Sequence, residues 1–340
     1  MSVEQVHQEN SRKRPHAKVK EKEKGGSLCK RFEAWVRHSL IQTLVPPDSV
    51  VCDVSAGKLG DLPQLQKVSI AKLIALDFDA SHIKEAGKRW MDRGQPFPAT
   101  FLQFDIFKQD LVEEPAGILA QHRGHVDVAI CQGRLHHAFS TEERARRFLS
   151  SVSLLLKPGG FFFGFTFDSS SLWAKTMRVL EMKKADKSGR VKISGGADFT
   201  IDIHPSAFDS EVGGKFKLFC PSAPEKVSSC SIVHFPTLIA IAESKNLRLR
   251  DASNFVDFYH EHRFPFKSSL KNMHLYESDA LKPKTQEVEI LGLFTTFVFQ
   301  KCNEAAVGGV QEEPIGSDEL LTRTQATSTD ATDVEMEDDL

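Results

Sequence analysis

Three aspartates stand at the ends of three successive β-rich runs: Asp53 in Val50–Val54, Asp77 in Leu73–Asp77 and Asp105 in Thr100–Asp105. In an open α/β sheet, ligands bind at the carboxyl edge of the strands, so three acids placed there suit the hydroxyl and amino groups of a nucleoside. Taken singly, each is also an ordinary helix or turn cap. The first run continues into Ser55-Ala56-Gly57-Lys58-Leu59-Gly60-Asp61, a turn whose small residues let a ligand approach backbone N–H groups. It lacks the G-x-x-x-x-G-K-[ST] phosphate loop and is only a degraded G-x-G-x-x-G fingerprint. Asp77 follows Gly57 by 20 residues, the spacing at which an acid accepts both hydroxyls of a ribose. With no third glycine and no pyrophosphate turn, the pattern points away from NAD and toward S-adenosylmethionine, which has a ribose and an adenine but no phosphate.

The elements that must hold these residues alternate between strand and helix, which predicts an α/β fold with a mostly parallel sheet. Further strands are expected at Val126–Cys131 and Gly160–Thr166. A helix over Glu142–Leu156 shows Phe148, Val152 and Leu155 at helical spacing behind a Ser140 cap, and Lys157-Pro158-Gly159-Gly160 ends it. Two later strands, Leu247–Asp251 and Gly292–Gln300, flank a polar, His-rich stretch that reads as a loop. Residues 182–231 break the alternation and read as an insertion with short strands such as Lys215–Phe219.

Charge is unevenly spread. The net −2 of the 340 residues combines +3 over Met1–Lys24, −9 over Gln311–Leu340 and +4 over Gly25–Val310. Residues 1–26 and 304–340 read as disordered tails by composition, leaving one domain over 27–303. Arg12, Lys13, Arg14, Lys18 and Lys20 form a basic cluster that fits either an import signal or a solubilising tail. The six cysteines form no C-x-x-C pair, which argues against a zinc ribbon or a secreted disulfide framework and for a reducing compartment. No apolar run reaches the ~20 residues of a membrane span.

A set of longer matches is more specific. Phe32-x-x-Trp35 with Arg37, VCDVSAGKLGDL (Val51–Leu62), ALDFDASHI (Ala75–Ile83), VDVAICQGRLHHAFSTEERAR (Val126–Arg146), LKPGGFFFGFTFDS (Leu156–Ser169) and IVHFPTL (Ile232–Leu238) together resemble the mRNA cap guanine-N7 methyltransferases, as a divergent paralogue akin to the second plant type. The resemblance implies a class I S-adenosylmethionine-dependent methyltransferase with a Rossmann-like, seven-stranded sheet and an insertion between the fifth and sixth strands. It assigns Arg37, Ser55, Gly57, Asp77, Asp105, Gln132 and His137 to the cofactor. It assigns Glu33, Ala34, His136, His137, Cys230 and Phe294 to the cap guanine or RNA. The reaction implied is methyl transfer to N7 of a GpppN cap by in-line attack, with no general base, no metal and no catalytic side chain beyond those that position the partners. The implied setting is a nuclear monomer acting on the capped mRNA 5′ end, beside other capping or transcription components and away from membranes.

Departures from the family pattern are local. Ser55 replaces a glycine, His137 an aromatic, Glu33 and Ala34 a pair of asparagines, Arg37 a lysine, and Phe294 a tyrosine. The guanine-reading Glu falls at Cys230 or a neighbouring Ser, with Glu225 the nearest carboxylate. Two other readings therefore stand beside the transferase: a weak or inactive cap-binding scaffold, and a methyltransferase for another nucleotide.

Overall fold

Runs of Val, Ile, Leu and Phe too continuous for a one-sided sheet require cover on both faces, and the computed structural model provides it. It describes residues 27–111, 117, 119–196, 198–220, 223–276 and 286–302, without the side chains of 220, 223–226 and 286–287. Both tails, the basic cluster included, lie outside these residues.

The central sheet consists of β1 (Val50–Asp53), β2 (Lys72–Asp77), β3 (Ala99–Gln103), β4 (Val126–Gln132), β5 (Leu156–Phe167), β10 (Leu247–Asp251) and β11 (Phe294–Lys301) in the order β10-β11-β5-β4-β1-β2-β3. β1 pairs in parallel with β2 and β4, as do β2 with β3 and β4 with β5. β11 runs antiparallel between β5 and β10. Strand order reverses at β1 and β4, so their carboxyl ends open a crevice. The helices α1 (Leu28–Leu44), α2 (Leu62–Lys67), α3 (Ala80–Asp92), α4 (Glu142–Leu155), α5 (Ser169–Glu181) and α6 (Phe235–Glu243) pack around the sheet. Two apolar cores result, one including α1 residues Phe32 and Trp35, the other including Phe148 of α4 and Phe297 of β11.

The insertion is a second, antiparallel sheet of β6 (Val191–Gly195), β7 (Phe199–Ile203), β8 (Lys215–Cys220) and β9 (Ala223–Ser231), lying in sequence between the fifth and sixth strands of the main sheet. Its alternating burial fixes which residues face inward: Val191, Ile193, Phe199, Ile201 and Ile203 are buried while their neighbours are not.

Three expectations need correction. Thr141, not Ser140, caps α4, its Oγ1 accepting from Arg144 N at 3.2 Å. The Lys157-Pro158-Gly159-Gly160 segment belongs to β5, which starts at Leu156 directly after the helix. The His-rich stretch is helical, with α7 (Phe255–His262), α8 (Lys267–Asn272) and α9 (Gln286–Leu291). Asn254 caps α7 by accepting from Val256 N at 3.1 Å. Phe255, Phe258 and Tyr259 of that helix meet Phe32 and Trp35 of α1 at ring-centroid distances of 5.6–6.0 Å. Those apolar contacts outweigh the polar composition that suggested a loop.

Candidate functional site

α1 presents two stripes. Cys29, Phe32, Trp35 and Val36 are sealed into the core, which leaves Glu33 and Arg37, spaced at i and i+4, on another face. Glu33 and Arg37 line a cavity of 350 Å³. Arg37 Nε pairs with Asp61 Oδ1 at 3.0 Å, tying α1 to the turn after β1. Glu33 Oε1 accepts a weak bond from Cys29 Sγ at 3.7 Å, and burial raises its carboxyl above the usual range. Ala34, on the same helix, does not line that cavity.

The turn after β1 is built on carboxylates. Ser55 N donates to Asp53 Oδ1 at 3.1 Å, and Gly57 N donates to Asp77 Oδ2 at 2.9 Å. Asp77 Oδ1 also accepts from Asp79 N at 2.9 Å and faces His82 Nδ1 at 3.2 Å. Gly57 has φ +53°, and a Cβ there would meet nothing within 4 Å, so its backbone is open to a ligand. Burial pushes Asp53 up to about 7. Asp105 stands two residues beyond β3 rather than in it, accepting from Phe107 N at 3.2 Å and pairing with Lys108 at 3.0 Å. Ser55, Gly57, Asp77 and Asp105 line a narrow 40 Å³ cleft with Phe78, His82, Phe107, Arg134 and His137.

β4 ends in Gln132, and Gly133 (φ +67°) turns the chain into a short 3₁₀ segment, Leu135–Ser140. Both amide atoms of Gln132 and Nε2 of His137 are buried without a hydrogen-bond partner, as is Oγ1 of Thr166 on neighbouring β5. Buried polar groups are rarely left so. Burial lowers both imidazoles, His136 to about 3, so both are neutral near pH 7. Their rings lie 4.1 Å apart, and His137 also meets Phe107 at 5.5 Å and Phe78 at 6.3 Å.

The 350 Å³ cavity is completed by Gln132, Arg134, His136, His137 and Phe294 and, from the small sheet, Phe199, Leu218, Ser228 and Cys230. Burial pushes the Cys230 thiol up to about 11, which keeps it neutral. Phe294 does not offer the free stacking face expected of it: only 5% exposed, it stacks on Phe167 at 4.7 Å and on Phe255 at 5.3 Å. Glu225 lies in β9, but its side chain is outside the described residues. A third cavity of 340 Å³ shares His136 and His137 and adds Lys108, Arg144 and Lys215. The largest cavity described, 730 Å³ beside Glu142 and Thr237, holds none of the residues expected at the strand edge.

Expected site residues are thus gathered in two adjoining chambers bordered in common by Arg134 and His137. Arg134, Phe78 and His82 were missed, although each lies inside a motif already singled out in the sequence. The residues fit S-adenosylmethionine: the carboxylate of Asp77 and the open backbone at Gly57 suit a ribose, and the unpartnered amide of Gln132 suits a polar ligand.

The sequence model for the mRNA (guanine-N(7))-methyltransferase domain matches residues 2–302. "mRNA cap guanine-N(7) methyltransferase 2" of Oryza sativa subsp. japonica is 29% identical over 282 residues, covering 80% of this chain and 79% of that protein. Its Arabidopsis thaliana counterpart is 28% identical over 278 residues, covering 80% and 77%. A solved S-adenosylmethionine-dependent methyltransferase from Methanosarcina mazei superposes with a TM-score of 0.48 at 14% identity, over 78% of this chain and 98% of that one. A match running from the second residue to the end of β11 takes in both chambers and the small sheet that roofs one of them, and so the chain belongs to the mRNA cap guanine-N7 methyltransferase family, whose cofactor is S-adenosylmethionine.

Proposed function

We propose that the nucleoside cleft at Asp77 holds the cofactor and the 350 Å³ cavity holds the cap guanine, with N7 presented across the shared border at Arg134 and His137. The observation that carries this reading is that border: the cofactor-type residues and the aromatic-lined cavity meet at the same imidazole. When bound, the cofactor supplies an electrophilic sulfonium methyl. Guanine N7 has an exposed lone pair and no proton to lose, so the chain need not hold a base. Its residues place and enclose the partners, and placement alone can contribute about 7–11 kcal/mol. Arg37 suits the methionine carboxylate, Asp77 the ribose hydroxyls and Asp105 the adenine side. His136, neutral because of its burial, serves as a hydrogen-bond donor to guanine rather than as an acid.

The third cavity, with Lys108, Arg144 and Lys215, suits the triphosphate bridge and first nucleotides, and +4 over Gly25–Val310 has the right sign for RNA. The basic run at Arg12–Arg14 supports action in the nucleus. Incubation with labelled cofactor tests the reading: GpppG-capped RNA is labelled at N7 and uncapped RNA is not. Equal labelling of both would refute cap specificity. A neutral Cys230 in the guanine cavity favours one alternative, a cap-binding scaffold; tight S-adenosylhomocysteine and cap binding without turnover would select it.

A further inference from the structure

Beyond α7 the chain runs from Arg263 through α8 to Tyr276, a stretch with three cations, Arg263, Lys267 and Lys271, and no acid. The cations recur at i, i+4 and i+8, the spacing of one helical face. Each is set against a ring. The Arg263 guanidinium lies 4.7 Å from the centre of the Phe264 ring, and the ammonium groups of Lys267 and Lys271 lie 4.9 and 5.6 Å from that of Tyr276. Among the described residues, their charged groups meet rings rather than carboxylates. Glu261, the acid just before the stretch, faces His262 and Ser253. Phe264 is 65% exposed, more than any other large apolar side chain among the described residues. A solvent-facing ring bordered by cations suits single-stranded nucleic acid, whose bases stack on the ring while its phosphates meet the charges. An acidic peptide would answer the cations alone: the stretch Gln311–Leu340, net −9, has no aromatic residue to meet the ring. The surface is joined to the guanine cavity by α7. Phe255, at the start of that helix, stacks on Phe294 of the cavity wall at 5.3 Å, and a helix of 8 residues rises only about 12 Å.

We propose that this surface binds the RNA strand behind the cap, with one base stacked on Phe264 and backbone phosphates on Arg263, Lys267 and Lys271; this rests on the reading above of capped RNA as the substrate.

The test is calorimetry of the full chain, saturated with S-adenosylhomocysteine, at several salt concentrations. The ligands are the dinucleotide GpppA, a short single-stranded RNA carrying that cap, and the same strand uncapped. Phe264→Ala should weaken the capped strand about fivefold or more, the worth of one stacked base, and leave GpppA within about twofold of wild type. Phe264→Trp, which keeps a ring, should bind the strand as wild type does. With Arg263→Gln, Lys267→Gln and Lys271→Gln combined, the slope of log affinity on log salt for the strand should become shallower by about 2, from about 0.7 for each lost phosphate contact. Strand affinity unchanged in Phe264→Ala, with an unchanged salt slope in the charge variant, overturns the proposal; if the peptide of residues 311–340 then binds wild type and not these variants, the surface belongs to an acidic chain. Equal weakening of GpppA and the strand also overturns it, because the lesion then lies in the cap pocket or the fold. Equal affinity of wild type for the capped and uncapped strands refutes the cap reading alone, since the losses in the variants are still read on the uncapped strand.

Discussion

The backbone N–H of Gly57 donates to Oδ2 of Asp77 at 2.9 Å, so the turn after β1 is latched to the end of β2 by the side chain expected to meet the ribose. On the proposed reading, support of the turn and recognition of the ribose fall to one carboxylate. Asp77→Asn retains one acceptor but sets an amide N–H₂ against the N–H of Gly57 or Asp79. S-adenosylhomocysteine affinity, measured by calorimetry, should fall at least about tenfold, with a smaller loss of melting temperature.

Two buried groups give opposite pH dependences. His136 titrates at about 3 in the folded chain against an ordinary 6.5, so between these values the unfolded chain holds the extra proton and stability falls as pH falls. Asp53 titrates at about 7 against an ordinary 3.8. Between those values the folded chain holds the extra proton, and stability falls as pH rises. Asp53→Asn, whose Oδ1 can still accept from Ser55 N, should remove the second loss. Thermal melts should show the variant gaining up to about 4 kcal/mol on wild type at pH 8 and little at pH 4. An equal shift at both values would refute the assignment.

Gly164 on β5 has no room for a side chain: a Cβ there would sit 1.8 Å from the Cys131 carbonyl oxygen and 3.0 Å from the Phe297 ring. Gly164→Ala must therefore separate β4 from β5 just before Gln132. We expect a loss of about 3 kcal/mol or more in denaturant unfolding, together with lost cofactor binding.

Local signals in the sequence were sufficient for the sheet and the nucleoside side of the site. Asp77 could be found because it ends a strand, and strand ends are marked by the change from apolar to polar residues; Gln132, one residue past the expected strand, was assigned through resemblance and proves to end β4. The helix α7 was hidden, since its histidines mask a Phe255–Phe258 face that has meaning only against Phe32 and Trp35 of a distant helix. The enclosure of Phe294 was equally hidden, because Phe167 and Phe255 reach it through strand register and helix packing, which no local pattern encodes. Glu33 was named through resemblance alone; its isolation as a carboxylate emerges only once Cys230 faces the same cavity.

Removing residues 311–340 deletes a net charge of −9. If that tail discourages indiscriminate RNA binding, the truncated chain should bind uncapped RNA more tightly at low salt, with a steeper dependence of log affinity on log salt. Unchanged affinity in a filter-binding titration would refute the idea.

The two chambers share Arg134 and His137, but one wall of the larger is a stretch of the polypeptide the smaller does not use. The turn and strand ends around Asp77 come from the first half of the central sheet, while Phe199, Leu218, Ser228 and Cys230 come from β7, β8 and β9. On the proposed reading, editing that one hairpin array would reshape a wall of the guanine cavity while leaving the turn and strand ends around Asp77 as they are. A change confined to that array would then alter the fit of the base without touching the carboxylate that latches the turn after β1.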